Sequence, residues 1–133
     1  MATATKQQKI GNGTISQVVG VVVDVEFSEG NLPAIYNALE VELNGQKLLF
    51  EVAQHLDEAN VRAVALGSTD GLERGAAVVD TGSPISVPIG EETLGRMFDV
   101  KGQPIDGIAS GDFKTRAPIH RTPPAFVEQS GAV

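Results

Sequence analysis

The sequence predicts an all-β fold: a closed or nearly closed antiparallel barrel of five or six short strands, followed by a short helix and an extended C-terminal segment. Three observations support this prediction. Runs rich in β-branched residues alternate between apolar and polar positions, glycine-containing turns separate these runs at short intervals, and periodicity fades after Pro104. Short strands at such spacing are typical of small barrels, in which closure leaves no exposed sheet edge.

The first run, IGNGTISQVVGVVVDVEF, extends from Ile10 to Phe27 and is predicted as one half-buried strand. Gly20 stands in its middle, where glycine favours a bulge or a sharp bend. The second half of the strand should turn one face to the core, comprising Val21, Val23, Val25 and Phe27.

A hairpin is predicted at Asn44-Gly45, which lies between two alternating runs. Both residue types accept the positive φ that a type I′ turn requires. The predicted inward-facing residues are Leu39 and Val41 before the turn, and Leu48, Phe50 and Val52 after it.

The third run, NVRAVALG, leaves two alternatives open, because either Val61, Ala63 and Ala65 or Val64 and Leu66 could face inward. Two further short runs follow in AAVVDTGSPISVPIG, separated by Thr81-Gly82-Ser83-Pro84. The predicted barrel therefore covers residues 10–83. Residues 1–9 form a predicted disordered tail, and residues 84–133 an extension.

Near its start the extension contains VPIGEETLGRMFDVKGQPID, residues 87–106, which we call the hinge. Gly90 lets the chain leave a strand, and the acidic residues after it favour a helix N-terminus. This helix must be short because Gly95 destabilises it, and because Gly102 and Pro104 end any continuation. Helical spacing predicts one apolar anchoring face, formed by Leu94, Met97 and Phe98.

Composition limits the possible partners. The net charge of −7, the absence of Trp and the single Tyr disfavour nucleic-acid binding, and the absence of Cys excludes disulfides and thiolate metal sites. No apolar stretch is long enough to span a bilayer, so we expect no membrane insertion. One basic cluster is interpreted as a solvated extended tail, with a nucleic-acid patch as the alternative: Lys114, Arg116, His120 and Arg121.

We find no phosphate-binding or metal-binding motif in the sequence. It contains no Gly-Lys pair and hence no phosphate-binding G-x-x-x-x-G-K-[ST] loop. His55 and His120 have no second histidine or carboxylate at a metal-ligand spacing. We therefore expect no catalytic, cofactor-binding or metal-binding residue in this chain, and a barrel that binds protein. The alternative is an autonomous small barrel that binds oligonucleotides.

Several stretches together resemble a known family. In chain order they are VVDVEF, EVELNGQKLLFEVAQHL, VRAVALGSTDGLERG, DTGSPISVPIGEETLGRMFDVKGQPID and APIHRTPPAF. Between about Ile10 and Gln129 they resemble the N-terminal part of the catalytic β subunits of F-type ATP synthases. EVAQHL and STDGL are similar to the catalytic β subunit, whereas the non-catalytic α subunit shares mainly TLGR and GQPID.

The resemblance implies a six-stranded crown barrel that packs beside α-subunit barrels in an alternating head ring. The hinge then leads into the incomplete start of a nucleotide-binding domain. The parent complex makes or hydrolyses ATP coupled to proton transport, using ATP or ADP and magnesium. Its implied partners are the α subunit and other head subunits, in a peripheral complex on the cytoplasmic side of a bacterial inner membrane.

Three departures from the family pattern stand out. Val21 and Glu73 occupy positions where the family commonly has proline and an apolar residue, respectively. The family also continues past VEQS into its phosphate-binding loop, whereas this chain ends at Val133. We therefore expect a truncated, soluble and non-catalytic β subunit that retains the assembly domain and self-associates when isolated.

Overall fold

The computed structural model describes residues 12–108, 111, 113–129 and 131. Six strands build a barrel and two short strands follow it, with two single 3₁₀ turns in the later part of the chain. The strands are β1 Asn12–Val19, β2 Val22–Phe27, β3 Asn37–Leu43, β4 Gln46–His55, β5 Asn60–Ala65, β6 Ala77–Pro84, β7 Ser86–Pro88 and β8 Arg116–Pro118. The 3₁₀ turns are Glu91–Thr93 and Phe126–Glu128.

The barrel is closed and antiparallel, with the strand order β1-β2-β5-β4-β3-β6. Closure comes from pairing of β1 with β6, in the register Asn12↔Val79 to Thr14↔Ala77. The predicted all-β class and six-stranded closed barrel are therefore confirmed. The predicted tail at residues 1–9, and Ile10 as the start of the first strand, lie outside the described residues.

The first β-branched run is not one bent strand. A two-residue turn at Gly20 and Val21 divides it into β1 and β2, with Val19 opposite Val22. Gly20 has a φ of 61°, and the β5–β6 loop covers this turn through a 2.7 Å hydrogen bond from Thr69 Oγ1 to the Gly20 carbonyl. The irregularity in this strand pair lies earlier, between Ile15 and Gln17.

The predicted core position of Val21 is wrong. This side chain sits at the tip of the β1–β2 turn and is 52% exposed, because the turn carries it away from the inner face. The core instead begins on this hairpin with Ile15, Val23, Val25 and Phe27, all buried.

The Asn44-Gly45 hairpin has the predicted geometry, since both residues have positive φ, 53° and 75°, and Leu43 lies opposite Gln46. The two open alternatives for β5 are also resolved, because Val61, Ala63 and Ala65 face the core. The core cluster is completed by Leu39, Val41, Leu48, Phe50, Val52 and Val78.

The predicted short helix is only a 3₁₀ turn at Glu91–Thr93. Gly90 with φ 107° precedes it and Gly95 with φ 71° follows it, so the backbone leaves helical geometry on both sides. Instead of a helix, the later chain forms a two-stranded ladder in which Ser86 to Pro88 pair with Pro118 to Arg116. Among the described residues, no helix is long and apolar enough to cross a membrane.

Candidate hinge and assembly surface

An ion pair that the sequence analysis missed closes the hinge. Arg96 donates to both carboxylate oxygens of Asp106, at 2.6 and 3.2 Å. The backbone N–H groups of Met97 and Ile108 donate to the same carboxylate. The hydrogen bond from Arg96 is the largest cause that holds the pKa of Asp106 far below its usual range. Opposite charges that flank the Gly102–Pro104 turn are the signal that could have predicted this pair.

The predicted anchoring face of the hinge is not assembled as expected. Leu94 and Met97 are 77% and 60% exposed, because the chain is extended at Leu94 instead of helical. Phe98 packs against a different residue, since its ring meets the Phe113 ring edge-on at a centroid distance of 5.1 Å. The guanidinium carbon of Arg96 lies over the Phe113 ring, 5.4 Å from its centroid.

The hinge turns back on itself at Gly102. This residue is buried and has a φ of 73°. A Cβ atom built on it would lie 2.7 Å from Pro88 Cδ and 2.8 Å from Arg116 Nη2. Asp99 Oδ1 stabilises the same turn by accepting hydrogen bonds from the backbone of Lys101 and Gln103. Gly102 thus allows the turn to pack against the β7–β8 ladder.

Pro104 and Gly90 complete the hinge. Phe98 and Pro104 form an isolated antiparallel bridge across the turn, and Ile105 donates its N–H to the Met97 carbonyl at 2.9 Å. At the start of the hinge, Thr93 Oγ1 donates to the carbonyl of Gly90 at 2.7 Å. Two turns and one ion pair, rather than a helix, therefore fix the path of the chain after the barrel.

The opposite side of the barrel carries a second feature, between β2 and β5. Arg62 donates to both carboxylate oxygens of Asp24, at 2.8 and 2.9 Å. Hydrogen bonding by Arg62 is the largest cause that lowers the pKa of Asp24. The pair borders a cleft of about 270 Å³ that is also lined by Gln17, Val19 and Val22. Val19 is 61% exposed and forms, with Val21, an apolar projection that we call the rim.

Further apolar side chains are exposed at the other end of the barrel and along the hinge. Ile35 and Tyr36 precede β3, and Leu56 follows β4. Leu94, Met97, Val100, Ile105 and Ile108 are exposed on the hinge and directly after it. Large exposed apolar patches are typical of protein interfaces, whereas single exposed apolar residues are common on any surface.

The basic cluster of the C-terminal segment is divided among different contacts. Arg116 lies in β8 and donates to the Oγ and the carbonyl of Ser86. His120 lies against Glu51 of β4, while Lys114 and Arg121 are exposed. The interpretation as a solvated tail therefore holds only for part of the cluster. His55 ends β4, and its Nε2 lies 2.7 Å from the Pro33 carbonyl oxygen.

A comparison with protein families identifies the barrel. The family described as ATP synthase alpha/beta family, beta-barrel domain, matches residues 15–82, slightly more than half of the chain. This chain belongs to the ATP synthase alpha/beta family. The match runs from the middle of β1 to near the end of β6, and the hinge follows directly after it.

Nucleotide and magnesium are the groups that the ATP synthase family implies. In the part of the chain that the structure describes, no group of three or more His, Asp or Glu side chains could hold a metal ion. The carboxylates of Asp24 and Asp106 each form an ion pair with an arginine, Arg62 and Arg96, respectively. These residues do not fit a magnesium site, and no chemical step is assigned to them.

Proposed function

We propose that this chain supplies the N-terminal barrel of a catalytic β-type ATP synthase subunit, and that its role is assembly of the α/β head ring. The observation that carries the proposal is the closed six-stranded barrel of the ATP synthase alpha/beta family with an apolar rim exposed at Val19 and Val21. Family membership suggests a role in an ATP synthase oligomeric assembly.

The assignment to the β type is supported by sequence. EVAQHL and STDGL resemble the catalytic subunit, and both lie inside the matched barrel. EVAQHL supplies much of β4, whose Val52 is completely buried, while STDGL forms part of the β5–β6 loop. The residues that resemble the catalytic subunit therefore include both core and surface positions of the barrel.

Surface chemistry favours a protein partner. The rim is apolar, and the charged pair beside it, Asp24 and Arg62, neutralises itself. Burial of Val19 and Val21 in an interface would remove their apolar surface from water, which favours association. We propose the α subunit and other head subunits as the partners, with the hinge leading from the barrel toward the nucleotide-binding part of such a subunit.

The proposed role involves no chemistry in this chain. We propose that ATP or ADP and magnesium bind to other parts of the assembly, and that residues 12–129 only position the barrel and the hinge. The resemblance also supports a peripheral membrane complex on the cytoplasmic side of a bacterial inner membrane, to which this barrel would belong without inserting into lipid.

The experiment is a titration with purified α-type subunit, followed by light scattering and equilibrium sedimentation. We expect a mixed complex that Val21→Asp weakens about tenfold, because a new charge in an apolar contact loses roughly 1–2 kcal/mol. Asn44→Asp is the matched control, since it adds the same charge at another turn at the same end of the barrel. Asp tolerates the positive φ at position 44.

Two results would contradict the proposal. One is the absence of any mixed complex at the highest subunit concentrations of the titration. The other is salt-sensitive binding of single-stranded DNA by the barrel, which would favour an oligonucleotide-binding function instead.

A further inference from the structure

Three side chains from distant parts of the sequence meet on the outer wall of the barrel. His120 follows β8, and its Nε2 lies 2.9 Å from Oε2 of Glu51 on β4. Its ring also stacks on Tyr36, with ring centroids 4.0 Å apart and an interplanar angle of 22°. A carboxylate only accepts hydrogen bonds, so the Nε2–H group of His120 is the donor. We call Tyr36, Glu51 and His120 the clamp.

Tyr36 holds an unusual backbone conformation at this site. Its φ is 72°, in the left-handed region that a residue with a bulky side chain rarely adopts. A 2.8 Å hydrogen bond from its N–H to the Val52 carbonyl fixes this conformation against β4. The Tyr36 side chain is nevertheless 47% exposed, so core burial does not explain the strain. The stack with His120 is the contact that this placement produces.

His120 lies at the end of the docked part of the C-terminal segment. Before it, β8 pairs with β7, and Ile119 donates its N–H to the Ile85 carbonyl at 3.0 Å. After it, the described residues from Arg121 to Gln129 are all exposed. The β7–β8 ladder holds β8 to the linker after β6, whereas His120 reaches the barrel wall itself. The clamp is therefore the contact that ties this segment to β4.

We propose that the clamp is a pH-responsive latch that docks the segment around β8 against the barrel. Protonation of His120 converts its hydrogen bond with Glu51 into a charge-assisted one, which is stronger. It also places a cation over the Tyr36 ring, which adds a cation–π attraction. Histidines change charge between about pH 5 and pH 8, so the latch tightens as the pH falls through this range.

The groups around the His120 ring fit this direction of response. Glu51 faces it from β4, and the Tyr36 ring faces it from the loop before β3. On its own segment the neighbouring charge is Arg121, whose side chain is exposed. The other histidine, His55, contacts the Pro33 carbonyl in the loop before β3.

The test is amide hydrogen exchange of the full chain, read at Ile119 and Ala117 and corrected for the intrinsic pH dependence of exchange. We expect protection at these amides to be about fivefold higher at pH 5.5 than at pH 8, the size expected for an exposed ion pair worth up to about 1 kcal/mol. His120→Ala should lower the protection at pH 5.5 by a similar factor.

Two further variants separate a latch from a general structural role. His120→Gln keeps a hydrogen-bond donor, so it should preserve part of the protection. The variant leaves His55 unchanged, so loss of the pH response would assign that response to His120. Tyr36→Gly removes the ring and the positive-φ strain together, so it should release Ile119 without lowering the melting temperature of the barrel. Persistence of the pH response in His120→Gln, or unchanged Ile119 protection in His120→Ala, would overturn the proposal.

Discussion

At the scale of single residues, the hinge depends on two positions with specific geometric requirements, Gly102 and Asp106. Gly102 is needed for its missing Cβ, and Asp106 for a carboxylate that accepts from Arg96 and two backbone N–H groups. The glycine turns of the hinge could be predicted from sequence, because glycine and proline mark turns locally. The Arg96–Asp106 pair was indicated only by opposite charges on the two sides of the turn, and its two-bond geometry could not be predicted because it depends on the complete path of the turn.

Substitution of Gly102 by Ala should open the hinge. The positive φ alone costs about 1–2 kcal/mol for a non-glycine residue, and the close approach of Pro88 and Arg116 adds to it. Gly107→Ala is the matched control, because Gly107 also has a positive φ, 74°, but has open space around it. Hydrogen exchange at Gln103 and Ile105 should therefore accelerate clearly more in Gly102→Ala. Equal acceleration in both variants would contradict the role of crowding.

Acid should open the hinge only at a pH below the ordinary pKa of aspartate. The pKa of Asp106 is lowered in the folded chain, so the stabilisation is complete above the ordinary pKa of aspartate, about 3.9. It is lost only as the pH falls toward the lower folded value. A carboxyl-carbon NMR titration should show Asp106 still ionised at about pH 3, where free aspartate is mostly protonated.

Arg96→Gln is the variant that tests the cause of this shift. Without the guanidinium, the midpoint for Asp106 should rise toward the ordinary value, because the largest stabilising hydrogen bond of the carboxylate is gone. An unchanged midpoint would assign the shift to the backbone donors Met97 and Ile108 instead.

At the scale of elements, strands were predicted well and connections less well. The Asn44-Gly45 turn could be predicted because its residue types are nearly diagnostic of a type I′ hairpin. The Gly20–Val21 turn could not, because Val21 continues the β-branched pattern and hides the break between β1 and β2. The helix predicted from the spacing of Leu94, Met97 and Phe98 was also wrong, because the glycines on both sides of the 3₁₀ turn have positive φ and end helical geometry there.

The inner face of β3 should carry much of the barrel stability. Leu39 has no exposed surface, so Leu39→Ala should destabilise the barrel by about 2–5 kcal/mol through lost burial and a residual cavity. Leu49→Ala is the matched control, because Leu49 is only half-buried on the outer side of β4 and should cost about 1 kcal/mol. Urea unfolding followed by circular dichroism measures both. Similar losses would indicate that the outer wall is packed as tightly as the core.

At the scale of the whole molecule, barrel closure was predicted because many short strands with glycine corners leave few other arrangements. The pairing order β1-β2-β5-β4-β3-β6 does not follow from local pattern, since β2 and β5 are separated by two other strands in sequence. Contacts such as that between Glu51 and His120 join residues 69 positions apart and were likewise beyond local prediction.

The purified chain should self-associate through its exposed apolar residues. We expect the mass measured by light scattering to rise with concentration, because the rim and the hinge both expose apolar side chains. Val21→Asp should shift this equilibrium toward the monomer, whereas Asn44→Asp should leave it unchanged. A monomer at all concentrations would contradict this expectation and would leave binding of a different subunit as the use of the rim.

The seam between β1 and β6 also determines how the barrel responds to mechanical load. The chain enters the barrel at Asn12 and leaves it at Pro84, and the antiparallel register brings both points to the same end of this seam. Tension applied to the two flanking segments therefore peels β1 from β6 one hydrogen bond at a time, instead of shearing all of them together. Rotation or strain transmitted along the chain would open the barrel at this seam first, while the β4–β5 pair on the far side remained intact.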